Sequence, residues 1–186
     1  MLLRTVTFLA VVGLGLAAFS TTWVSNAATE TPDVERGKYL VNFGSCNDCH
    51  TPMTMGPNGP EHDATRLLSG HPQDMVMPPA PALDAPWMAA ASNTLTAWSG
   101  PWGVSFSANL TPDKETGLGK WTAEDFIATI RNGRHMGRGR PLLPPMPYQY
   151  VATLTDTDLR NVFAYLQSIP AVSNRVPEPI APAAQR

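Results

Sequence analysis

The stretch Cys46-Asn47-Asp48-Cys49-His50 constrains this chain more than any other feature. Two thiols three positions apart, followed at once by an imidazole, match a c-type haem attachment sequence. The spacing has a chemical reason. Both thiols can add to the two vinyl groups of one haem, and the histidine is then held beneath the iron as its proximal ligand. Cys46 and Cys49 are the only cysteines among 186 residues, so one such site uses both and leaves none for a disulfide.

Two other chemistries use the same spacing. A Cys-x-x-Cys dithiol serves redox exchange, but it normally accompanies a βαβ pattern, and none is visible. It can also supply half of a zinc site, which wants a second Cys or His pair at short spacing. His62 and His71 are nine positions apart and lie among prolines. The haem reading fits best.

Residues 1–27 read as a signal peptide. Arg4 gives a positive start, Phe8 to Phe19 an apolar run, and Ser25-Asn26-Ala27 a small-residue cleavage site. The chain is therefore expected in the periplasm, which suits covalent haem attachment because bacteria carry it out beyond the cytoplasm. Membrane contact is expected only if this segment is retained as an anchor, and its apolar run is short for a span. The remainder is one domain's worth of chain. A formal net charge of −2 and the lack of a basic patch argue against nucleic acid as a partner. Nineteen prolines and fourteen glycines predict few, short helices and scarce strands.

Three helical patterns stand out. The first begins after a candidate N-cap at Asp33 and carries Val34, Gly37, Leu40, Val41 and Gly44 at three- and four-residue spacing. It is expected to run into the cysteine motif. The second starts at Thr122, where Asp125 completes a capping-box-like pair, and Asn132-Gly133 stops it. The third starts at Thr155, with Leu159, Val162, Phe163 and Leu166 on one face, and ends before Pro170. Between them, residues from about 52 to 105 show no sustained periodicity. This stretch, rich in proline and aromatics, is read as a long irregular insertion that wraps the haem crevice. A domain over 28–175 and a flexible tail over 176–186 complete the organisation.

A haem held by one histidine needs a sixth ligand or an open position. Met146 is the leading candidate. In Leu142-Leu143-Pro144-Pro145-Met146-Pro147-Tyr148, prolines on both sides stiffen the backbone and can hold a thioether with little freedom to lose. Such a ligand favours ferrous iron and raises the reduction potential. Met136 and His135 are the alternatives, and a His135 ligand would give a lower potential. Methionine also fills core gaps for packing reasons alone.

These features together resemble a class I c-type cytochrome: a helix leading into Cys-x-x-Cys-His, a proline-flanked methionine and a closing helix with Ala164-Tyr165-Leu166. Asn109-Leu110-Thr111-Pro112-Asp113, Gly117 to Thr122 and Leu154 to Leu159 are similar to the monohaem cytochrome domains that serve bacterial periplasmic and membrane dehydrogenases. The resemblance covers Val34–Thr51 and Asn109–Pro170. It implies an all-α fold around one covalent haem c, bound through Cys46 and Cys49 with His50 and Met146 as axial ligands. It also implies that the first and last helices cross near Gly37 and Tyr165. The implied role is not catalysis but electron transfer, the iron cycling between ferric and ferrous forms. The implied partners are a dehydrogenase upstream and an oxidase or another cytochrome downstream. The alternatives are a haem enzyme or ligand sensor with an open or displaceable sixth position, or a cytochrome subunit of a dehydrogenase complex.

Overall fold

The computed structural model describes residues 31–182. The expected signal peptide at 1–27 lies outside the described residues, as does the end of the expected tail beyond residue 182.

Three longer helices build the core. Helix α1 spans Val34–Phe43, and the Asp33 side chain caps it by accepting from the Arg36 N–H at 3.0 Å. A short helix α2, Cys46–His50, follows. Helix α3 is Ala123–Asn132, opened by a full Thr122–Asp125 capping box and closed by Gly133 in the left-handed region. After a one-turn α4, Tyr148–Val151, comes α5, Asp156–Ser168, whose N-cap is Thr155. Their apolar stripes meet in one cluster. Leu40 and Val41 come from α1, Phe126 and Ile130 from α3, and Leu159, Val162, Phe163 and Leu166 from α5. Leu68 and Leu118 close it from the connecting loops. Leu159 and Leu166 are fully buried, each stabilising the fold by roughly 1.5–3 kcal/mol.

Gly37 sets how closely α1 and α5 approach. A Cβ there would collide with the Asn161 carbonyl and lie 2.9 Å from the Tyr165 Cβ. Two polar links cross the same contact. The Asp33 N–H donates to Asn161 Oδ1 at 2.8 Å, and Arg36 pairs with Asp158 at 3.0 Å. Gly37→Ala is therefore expected to destabilise the protein by about 1–3 kcal/mol, because overpacking outweighs alanine's better helix propensity. Chemical denaturation of the two proteins side by side checks this.

The expectation of an all-α fold is corrected by the strands. Strands β1, Met53–Gly56, and β2, Gly59–His62, form an antiparallel hairpin with Met53 opposite His62. Strands β3, Ala90–Ala91, β4, Ala97–Gly100, and β5, Gly103–Phe106, form a second antiparallel sheet in that order. The molecule is mixed α/β, and the stretch read as an irregular insertion carries both sheets. The strands are two to four residues long, too short to display alternation. The signal that was present lay in the turns, Pro57-Asn58-Gly59 and Gly100-Pro101-Trp102-Gly103, which punctuate hairpins. Farther along the chain, Ile180 exchanges backbone hydrogen bonds with Val104 at 2.8 and 2.9 Å.

The first helix also ends earlier than expected. The Gly44 N–H turns back to the Leu40 carbonyl, and Ser45 takes a left-handed conformation (φ 53°). The cysteine motif therefore stands on its own short helix, re-aimed from α1.

Candidate haem site

Helix α2 is the attachment motif itself. At three-residue separation on a helix, Cys46 and Cys49 lie on one face. Both thiols are free. Burial pushes the Cys46 thiol up to about 11 and also raises that of Cys49. A dithiol oxidoreductase needs the opposite, a thiolate stabilised near neutral pH. The local chemistry therefore disfavours thiol–disulfide exchange.

His50 closes the helix and is buried. Its Nδ1 lies 2.8 Å from the Ala108 carbonyl oxygen. A carbonyl only accepts, so the ring proton belongs on Nδ1. The Nε2 lone pair is then left for a metal, with the carbonyl orienting the ring and raising its basicity. Burial lowers the proton affinity of His50 and keeps it neutral, as a ligand must be. Nε2 has no hydrogen-bond partner among the described residues.

Backbone contacts hold this arrangement. The Gly70 N–H donates to the His50 carbonyl at 2.8 Å. The segment from Leu68 to His71 runs beside Ser107 to Leu110, with His71 N–H to the Ser107 carbonyl and Leu110 N–H to the Leu68 carbonyl, both 2.9 Å. Ala108, the acceptor for His50, sits between those two bonds. Thr51 accepts from the Leu68 N–H at 2.9 Å and donates to Asn47 at 3.0 Å, fixing the end of α2.

Met146 is half-buried and packs against the helical core, as Cys46 does. Its loop is tied at several points. The Met146 N–H donates to the Leu143 carbonyl at 3.2 Å, and Leu142 N–H to the Gly133 carbonyl at 2.8 Å. The Ser105 hydroxyl on β5 donates to the Pro144 carbonyl at 2.5 Å. The other two candidates lie in a 3-10 turn, His135–Gly137. There the exposed His135 ring stands edge-on to Trp121, with centroids 5.1 Å apart, and Met136 has a left-handed backbone.

The zinc alternative finds no donor set. His62 on β2 faces Asp48 at 3.6 Å. His71 is fully buried and hydrogen-bonds Thr96 at 2.9 Å. Among the described residues no group of three or more His, Cys, Asp or Glu side chains comes together. Two free thiols on one face of a helix, and a neutral imidazole with one nitrogen committed to a carbonyl, fit covalent haem c.

Sequence reasoning named Cys46, Cys49, His50 and Met146 as candidates but did not foresee the groups packed around them. Ala108 contributes only a backbone carbonyl, so its side chain carries no signal. Gly70 and Asn174 bear on the site through contacts between segments far apart in the chain. Asn109 stood inside a motif that carried the family resemblance. Its amide bonds the Val172 carbonyl at 2.8 Å and its Oδ1 receives the Thr111 N–H at 2.9 Å.

No protein-family model matches the chain. Curated proteins do. The chain is 30% identical to the fructose dehydrogenase cytochrome subunit of Gluconobacter japonicus, across 76% of this chain and 22% of that protein. It is 27% identical to the cytochrome c subunit of a quinone alcohol dehydrogenase from Gluconobacter oxydans, across 91% and 28%. A diheme cytochrome c-type protein of Cereibacter sphaeroides is 31% identical across 80% and 40%. The chain thus spans only 22% and 28% of the lengths of the two dehydrogenase subunits. Over most of its own length it is similar to cytochrome c subunits of bacterial dehydrogenases.

Proposed function

We propose that this chain is a class I, monohaem c-type cytochrome domain that carries electrons as the cytochrome subunit of a periplasmic dehydrogenase. The observation that carries the reading is the His50 imidazole, its Nδ1 proton fixed by the Ala108 carbonyl, placed directly after two free thiols on one helical face. Covalent haem c would supply a one-electron couple at this site. Cys46 and Cys49 would hold the group, and His50 and Met146 would be its metal ligands. The surrounding apolar cluster lowers the local dielectric. The dehydrogenase is the electron donor, and an oxidase or another cytochrome the acceptor.

The resemblance to dehydrogenase subunits favours a fixed subunit over a free carrier. The cytochrome domain occupies residues 28–175, behind a signal peptide at 1–27. Among the described residues no helix is long and apolar enough to cross a membrane.

A haem enzyme or ligand sensor would need an open or readily displaced sixth position. The loop ties around Met146 speak for a filled one. The reduced holoprotein, exposed to carbon monoxide, is expected to keep its absorption spectrum unchanged. Rapid formation of a carbon monoxide complex would contradict the proposal and select the enzyme or sensor reading.

A further inference from the structure

Asn174 lies beyond the last helix, more than a hundred residues from the attachment motif, yet it is fully buried. Its side chain uses its whole hydrogen-bonding capacity. Nδ2 donates to the carbonyls of Ser69 at 2.7 Å and His71 at 2.9 Å. Oδ1 accepts from the Gln73 N–H at 2.9 Å and from Arg66 at 3.1 Å. The two carbonyls it grips flank Gly70, the residue whose N–H holds the His50 carbonyl.

Gly70 is pressed against the other half of the site. Its φ is +78°, and a Cβ there would lie 2.6 Å from the Ala108 carbonyl carbon and 2.7 Å from its oxygen. That oxygen accepts the His50 Nδ1 proton. One tight backbone junction therefore fixes both the main chain of His50 and the acceptor for its ring. The Asn174 amide brackets this junction from behind.

We propose, resting on His50 as the axial ligand, that Asn174 is a positioning residue that sets the His50–Ala108 hydrogen bond and through it the reduction potential. The physical chain is short. A strong Nδ1–H···O=C bond makes the imidazole a better electron donor, which stabilises oxidised iron. Removing the bracket leaves two buried carbonyls without donors and lets the segment from Ser69 to His71 shift. The bond to Ala108 then lengthens, the imidazole donates less, and the potential rises.

The test is a redox titration of purified holoprotein carrying Asn174→Leu, which keeps the volume and removes the amide. About a tenfold shift of the equilibrium toward the reduced form is expected, which for one electron is about 59 mV. Gly70→Ala, which pushes on the Ala108 carbonyl and leaves the amide in place, is expected to move the potential in the same direction. Thr122→Ala removes a helix cap far from the junction and serves as control, with a lowered melting temperature and an unmoved potential. A red Asn174→Leu protein that melts earlier but keeps the parent potential would overturn the proposal and leave the haem assignment standing. A parent preparation with no covalent haem would overturn both. If neither junction variant folds, proton exchange at His50 Nδ1 in the parent holoprotein decides, by NMR. Slow exchange supports a clamped bond, and exchange as fast as for a free imidazole refutes it.

Discussion

The Cys46→Ala/Cys49→Ala double variant is expected to yield protein whose haem, if any is retained, passes entirely into acid-acetone. Both thiols are free, and their helical spacing offers them together on one face. No other cysteine in the sequence can replace them. A tether keeps the group at high effective concentration beside His50. Without it, retention depends on the axial ligands and apolar contacts alone. Because a bound group stabilises the folded state that binds it, the double variant should also melt well below the parent. Each single variant keeps one thioether and should retain part of its colour on extraction. The measurement is the absorbance left with the precipitated chain.

Met146→Ala has the second largest expected effect, and it falls on the metal rather than on attachment. The prolines at 145 and 147 and the Ser105–Pro144 contact are untouched by this change, so the loop should keep its path. The oxidised variant is expected to lose the weak near-infrared band that thioether–iron ligation gives. The reduced variant should bind carbon monoxide where the parent does not. The potential should fall, on the order of 0.1 V or more, since axial ligands govern a range of about 0.8 V. If the parent band survives in Met146→Ala, the ligand lies elsewhere. His135→Ala and Met136→Ala would then locate it.

The parts of the molecule legible in the sequence are those whose signal is local. The caps at Asp33, Thr122 and Thr155 each lie next to the residues they satisfy, and all three helices start where these caps place them. The attachment motif is local by its chemistry. The close approach at Gly37 agrees with the helix crossing that the family resemblance implied. What stayed hidden depends on pairing across the chain. Strands β1 to β5 are too short to announce themselves by alternation, and the proline content argued against them. The break at Ser45 follows from one left-handed residue that carries no sequence mark. The shell around His50 is built mostly from backbone groups, the Ala108 carbonyl and the Gly70 N–H, which any residue type possesses. Asn174 makes its contacts 100 and more residues away, past the last helix, where no local pattern marks a partner.

The most direct test of the whole account is the mass of the purified, denatured chain after export from a host competent for cytochrome c maturation. The account predicts the chain plus one covalently bound haem. A bare-chain mass, or pigment that leaves with acid-acetone, would contradict it.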